Sequence, residues 1–305
     1  MRSRTLLNLA LIVLAAVLGA VAYFRPGHHP APKKPTLTAL KPADITRIRI
    51  ERPGHATIRL RREHGVWRIT APIRARANTL RVEGIEDAAD APSLAGYPVP
   101  GLQLKQFGLA PPKVRLWLNG HELDFGDTDP IHQWRYVRVG DRVHMIGDTV
   151  YPFLTMPPTA FVNLALLPPG ADIEALNLPH LSLRRGPKGH WTLTPPRKEA
   201  DPVRIDALLA RWRDARALFI QRDHGGPDKG RITVRLEGRK APLVFVIRRT
   251  RPGLVLARPA AGLSYHLGSG GSHGLLRLET PAHRDAAAAP KRPRGDAGIR
   301  GRPAH

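Results

Sequence analysis

The chain of 305 residues contains no cysteine. That absence excludes disulfide staples, thiolate nucleophiles and cysteine metal sites. It leaves the compartment open, because a cysteine-free chain suits a reducing or an oxidising environment. Acidic residues are missing from residues 1–42, which carry six basic side chains, and charge of either sign is missing from residues 6–24. No histidine pair has the helical or short-loop spacing of a recognisable zinc site.

What is present begins with residues 6–24, where Asn8 is the only strongly polar side chain. As a helix this run is about 28 Å long, close to the hydrocarbon thickness of a bilayer. Arg2 and Arg4 precede it, and Arg25, Lys33 and Lys34 follow, so the positive-inside balance is nearly even. A short N-terminal flank usually stays inside. The expectation is a single-pass anchor over residues 1–24 in the inner membrane, with residues 25–305 in the periplasm. A cleaved signal peptide competes with it, because Ala20-Val21-Ala22 has the small-x-small form of a cleavage site. Pro26, Pro30, Pro32, Pro35 and Pro42 then make residues 25–43 an extended tether.

The formal net charge is +23, and residues 43–280 hold 36 basic against 23 acidic side chains. The excess is therefore not confined to the ends. A basic surface attracts anionic lipid, polysaccharide or nucleic acid through a non-specific field; a solvated basic face is the plain alternative.

The segment Trp67-Arg68-Ile69-Thr70-Ala71-Pro72 returns 124 residues later as Trp191-Thr192-Leu193-Thr194-Pro195-Pro196. Asn78-Thr79-Leu80-Arg81-Val82 corresponds to Asp201-Pro202-Val203-Arg204-Ile205 in the same order. The chain reads as one unit written twice, over residues 44–154 and 171–279, joined by a connector at 155–170. Residues 161–167, bracketed by Pro157-Pro158 and Pro168-Pro169, are too short to span a bilayer and are expected to form a packed turn of helix. Residues 280–305 are rich in Ala, Pro and Arg and lack periodicity, which predicts a disordered basic tail.

Within the first unit, Ile48 and Ile50 alternate with arginine, as do Ile58 and Leu60. That period marks half-buried strands. Glu63-His64-Gly65 and Asn119-Gly120 are hairpin turns. Val82, Ile85 and Ala89 have helical spacing after a cap at Asn78. In the second unit Asp201-Pro202 is a helix start, an N-cap acceptor followed by proline where its missing N–H costs nothing. Ile205, Leu208, Leu209 and Trp212 form its inward stripe. The fold class is α+β: two tandem repeats of antiparallel strands with one main helix each, behind a single N-terminal transmembrane helix.

The ordered set of Trp67 to Pro72, Ala77-Asn78, Gly108-Leu109-Ala110-Pro111-Pro112 and Tyr136-Val137-Arg138 resembles the domain of unknown function family numbered 4340, found in bacterial envelope proteins. The resemblance covers residues 44–154 closely and 171–279 more loosely. The second unit lacks a clear Gly-Leu-x-x-Pro step and the Tyr-Val-Arg strand. The resemblance implies an exported domain behind one N-terminal helix, in proteins that accompany ABC-type export or gliding-motility-like components. It supplies no catalytic residues.

The chemical candidates are few. His121, His132 and His144 lie near Glu122, Asp124, Asp127 and Asp129, but exposed strand histidines and strand-edge charges explain them. His28-His29 lies in the tether without acidic neighbours. Ser269 and Ser272 sit in a Gly-rich loop that lacks the strand–loop–helix context of a nucleophile elbow or phosphate loop. Trp67 and Trp191 read as a shared core plug. The outward arginines Arg47, Arg49, Arg59 and Arg61 form a candidate surface for an anionic ligand. No catalytic residue, metal or cofactor is assigned, and nucleic acid is not an expected partner. The first functional expectation is a non-enzymatic membrane-anchored envelope protein. Its role would be that of a scaffold or accessory subunit with a protein partner, as in an ABC-type transport system. The alternative is a binding module for an anionic polysaccharide or lipid headgroup, and an envelope hydrolase ranks third.

Overall fold

The structure, a computed structural model, describes residues 2–24, 34–187, 189–196 and 201–278. The first part of the tether with His28-His29, and the basic tail at 280–305, lie outside the described residues. Helix α1 runs Arg2–Phe24. Its side chains are described over residues 9–20, all exposed and none charged. Among the described residues no helix is long and apolar enough to cross a membrane.

The first repeat supplies β1 (Arg47–Glu51), β2 (Ile58–Glu63), β3 (Val66–Ala71), β4 (Ala75–Arg76), α2 (Thr79–Glu86), β5 (Ala95–Pro98), β6 (Val114–Leu118), β7 (His121–Thr128), β8 (Arg135–Val139), β9 (Arg142–Ile146) and α3 (Tyr151–Leu154). The second supplies β10 (Ile173–Leu178), β11 (Leu181–Arg185), β12 (Trp191–Thr194), α4 (Pro202–Asp214), β13 (Phe219–Arg222), β14 (Arg231–Leu236), β15 (Leu243–Arg249), β16 (Val255–Arg258), β17 (Leu263–His266) and α5 (Gly271–Leu276). The class is α+β with two antiparallel sheets and few helices.

Strand order carries the mark of duplication. Neighbours run β3-β2-β1 in the first repeat and β12-β11-β10 in the second; likewise β6-β7-β8-β9-β5 matches β14-β15-β16-β17-β13. The strand that follows the helix returns to the far edge both times, beside β9 and beside β17. Both Trp segments also leave through a cis X-Pro bond, Ala71-Pro72 and Thr194-Pro195.

Backbone proximity divides the chain differently from the repeats: the described residues of 1–45 with 84–154 form one compact unit, and the described residues of 46–83 with 155–278 the other. In the first, alternation puts Val114, Leu116 and Leu118 inside β6, with Leu123, Phe125 and Val137 on the strands beside it. Asn119 and Gly120 turn that hairpin with φ of 51° and 109°, the positive values a two-residue turn of this hand needs. Arg135 is buried and held on all sides. It donates to both Asp148 oxygens and to the Gly126 carbonyl, and its guanidinium lies 3.4 Å from the Tyr151 ring centroid.

In the second compact unit the connector departs from expectation. Only Pro158–Phe161 is helical, as a 3-10 turn; beyond it Val162 and Ala165 make single antiparallel bridges to Ala77 and Arg216, and residues 166–167 bend. Asn78 N–H donates to the Phe161 carbonyl and Asn163 N–H to the Arg76 carbonyl, while Leu166 and Ala217 exchange bonds with Ala215 and Leu164. The segment finds strand partners on both edges, whereas a helix this short could not offset its nucleation cost alone. Asp201 caps α4 by accepting from Val203 N–H at 3.0 Å, and Ile205, Leu208, Leu209 and Trp212 are its buried stripe. Trp212 Nε1 donates to the Leu275 carbonyl at 2.9 Å, which fastens α5 over α4. The loop before α5 thus does precede a helix, but one of six residues that serves as a clasp. Trp67 is core, at 3 % exposure, whereas Trp191 is half-buried. It opens its strand, and Leu193 takes the inward role there.

Candidate anion-binding site

The alternation of β1 and β2 points Ile48, Ile50, Ile58 and Leu60 into the core, none above 2 % exposed. The intervening arginines must face outward. Register decides which of them meet. Arg47 stands directly opposite Arg61, and Arg49 opposite Arg59, so the four arginines expected to form a surface do share one face. Glu51 and Glu63 temper it, pairing with Arg49 at 3.2 Å and Arg68 at 3.4 Å.

The ladder continues where sequence reading stopped. Arg61 is opposite Arg68 on β3, and Arg68 is opposite Arg76 on β4. One row therefore carries Arg47, Arg61, Arg68 and Arg76 across four adjacent strands. Directly opposed like charges destabilise a sheet, so the arrangement opposes folding rather than supporting it. In the second repeat the matching row is Ala175, Arg184 and Thr192.

At its β4 end the row enters a groove of about 640 Å³, within the range of about 300–1,000 Å³ usual for ligand sites. Five arginines line it: Arg68, Arg74, Arg76, Arg239 and Arg258. No Asp or Glu does. Its floor is apolar and buried, with Leu166, Leu167, Leu243, Leu263 and Tyr265. The connector puts Leu166 and Leu167 there, and its bonds to Arg76 and Ala215 fix the wall. Arg76 Nε is buried without a hydrogen-bond partner among the described residues, a state that a bound anion would relieve. Guanidinium groups are always charged and match carboxylate or phosphate with two parallel bonds. A concave site with one sign of charge concentrates counter-ions. The lining includes no His, Asp, Glu, Lys, Cys or Ser, so it offers no group that exchanges protons near neutral pH.

The other candidates resolve into structural roles. Asp124 is buried between Arg138 at 2.9 Å and Arg115 at 3.1 Å; burial raises its pKa, against the pull of both cations. Asp127 pairs with Lys113. Asp129 accepts from the N–H groups of Ile131, His132 and Trp134. Burial works to raise its pKa, but those donors outweigh it and hold the carboxyl below its usual value. Glu122 and His121 are exposed at the β6–β7 turn, and His132 stacks on Trp134 at 4.4 Å. His144 Nδ1 lies 2.9 Å from Ser93 Oγ, and burial, then Arg142, lowers its pKa. Among the described residues no three His, Asp or Glu side chains come together as a metal site. Tyr136 packs on Phe107 at 4.8 Å, Val137 is buried and Arg138 holds Asp124, so the Tyr-Val-Arg strand is framework.

No curated protein and no solved structure matches the chain. A family model described as a domain of unknown function (DUF4340) matches residues 67–224. The match starts at Trp67, crosses the connector and ends just past β13, so it does not coincide with the 44–154 and 171–279 resemblance expected from the motifs. It takes in Arg68, Arg74, Arg76 and the connector wall of the groove and spans just over half of the chain, which therefore belongs to the DUF4340 family.

Proposed function

We propose that this protein is a non-enzymatic, membrane-anchored binding module whose arginine-lined groove holds the anionic part of a ligand. The observation that carries the reading is the lining itself: five guanidinium groups over an apolar floor, with no carboxylate among the lining residues, although Glu63 pairs with Arg68 from beside it. The anchor rests on the uncharged run 6–24 and on the side chains of residues 9–20, apolar and exposed all round the helix. Such a helix needs an apolar surrounding on every side. On this reading residues 25–305 lie on the periplasmic side of the inner membrane. The test is ligand binding by full-length protein in detergent. Arg74→Gln with Arg258→Gln should lower the affinity for a galacturonate or phosphate ligand at least tenfold. Equal binding by both proteins would remove the proposal.

A second reading, an accessory subunit of an envelope complex such as a transporter, has its own observation. Leu218 and Phe219 are 69 % and 47 % exposed beside a hollow of about 350 Å³ that Leu164 and Ile220 also line. Exposed apolar clusters of this kind mark protein contacts. Leu218→Asp should then abolish co-purification with a membrane partner and leave anion binding intact.

A further inference from the structure

We infer that the ligand is a linear acidic polysaccharide, seated in the groove at one end and laid across β4, β3, β2 and β1 along Arg76, Arg68, Arg61 and Arg47. The inference rests on the groove reading and adds the ligand's class and path.

Register is the first support. The four arginines occupy successive, directly opposed positions. Adjacent strands lie about 4.7–4.9 Å apart, so the row sets one guanidinium at each strand interval over about 14 Å. A polymer with a carboxylate on every sugar presents anions at a comparable repeat, and each arginine can take one carboxylate by two parallel bonds. Arg49 and Arg59 form a second pair on the same face. A lone headgroup would fill the groove and leave Arg61 and Arg47, two and three strands from β4, without a part in binding.

Continuity is the second. Arg68 and Arg76 belong both to the row and to the groove lining, so the face leads into the groove, with Glu63 beside Arg68 the one carboxylate paired at the junction. Arg47, Arg59, Arg61 and Arg68 are exposed. The third support is what accompanies them. The outward positions between them are Val66, Thr70 and the carboxylates Glu51 and Glu63, with no aromatic ring among them. Single-stranded nucleic acid is held by stacking its bases on successive aromatic side chains; the outward positions of β1 to β4 offer none, and Tyr265 is the single ring in the groove lining.

The experiment measures binding of galacturonic acid as monomer, tetramer and long polymer to full-length protein in detergent, beside anionic vesicles and a single-stranded oligonucleotide. Affinity should rise about tenfold or more from monomer to tetramer as successive weak exposed contacts add. Arg47→Gln with Arg61→Gln should abolish that rise, leave monomer binding within about twofold of wild type and leave the melting temperature no lower. Arg74→Gln with Arg258→Gln should weaken every length. Affinity independent of length, or a row variant that binds polymer as well as wild type, overturns this inference and leaves the groove intact. Tighter binding of the vesicles or the oligonucleotide than of the polymer overturns it as well. Failure of all ligands to bind removes the groove reading and this one together.

Discussion

Arg61 faces Arg47 across one ladder and Arg68 across the other, so replacing it with threonine removes two opposed like-charge contacts at once. Taking each repulsion as similar in size to the attraction of an opposed ion pair, about 0.2–1 kcal/mol, the substitution relieves about 0.4–2 kcal/mol. Arg61 is exposed, and solvent and salt screen such contacts, so the lower part of that range, about 0.5–1 kcal/mol, is the expected gain. Threonine suits a strand, so backbone preference does not oppose it. At about 2–4 °C per kcal/mol for a chain of this size, melting should rise by about 1–4 °C. Thermal unfolding at low salt and near 1 M salt reads both magnitude and cause, because the Debye length falls to about 3 Å there and the gain should disappear. Arg61→Lys keeps the charge and should melt like wild type. A threonine variant that melts lower at low salt, or a gain shared by lysine, would refute the reasoning. The same threonine variant should lose affinity for acidic polymer, a stability gain bound to a functional loss.

Gly126 has no room for a side chain, since an added Cβ would lie 2.1 Å from the Phe107 carbonyl oxygen. Gly126→Ala should destabilise by about 1–3 kcal/mol in urea unfolding. Trp212 is fully buried against Phe245 and bonded to the Leu275 carbonyl; Trp212→Ala should cost about 3–5 kcal/mol and expose α5 to early proteolysis. His144 and His266 both have pKa values lowered by burial, then by Arg142 and Arg249 respectively. Unfolding lets them bind protons they lack when folded, so stability should fall as pH drops through about 6.5 and below, until it passes their folded pKa values. The urea midpoint should decline between about pH 7 and pH 5.5, and His144→Gln with His266→Gln should flatten that decline.

The hairpins and helix starts were legible because short-range rules govern them. Ile48, Ile50, Ile58 and Leu60 alternate whatever lies beyond, Asn119-Gly120 supplies positive φ locally, and Asp201-Pro202 starts α4 with its own side chain. Residues 162–167 were misread because their conformation is set by Arg76, Asn78, Ala215 and Ala217, which lie far off in sequence. Trp191 repeats Trp67 in sequence but opens a shorter strand and stays half-buried. The four outward arginines were visible from period two alone. Their continuation through Arg68 and Arg76 needed the β2–β3 and β3–β4 registers, and a bulge between Arg59 and Leu60 shifts the former. Arg74 and Arg76 do carry a signal, since they alternate with Ile73 and Ala75, but alternation cannot reveal that Arg239 and Arg258 share their groove.

The duplication supplies an internal control for the arginine row. Both repeats build the same three-strand ladder, β3-β2-β1 and β12-β11-β10, with the same inward pattern of Ile and Leu. At the positions that hold Arg47, Arg61 and Arg68 in one, the other holds Ala175, Arg184 and Thr192, with a single guanidinium and with Ala175 buried where Arg47 is exposed. The ladder therefore does not need the row to form. A charge pattern that the scaffold can omit, that raises electrostatic repulsion where it occurs and that leads into a groove lined by five arginines is what the proposed anionic ligand would account for. Transplanting the second repeat's residues, as Arg47→Ala with Arg68→Thr, should leave the hairpin folded and more stable at low salt. Because Arg68 also lines the groove, Arg47→Ala alone should separate polymer binding from monomer binding, since it leaves all five groove arginines in place.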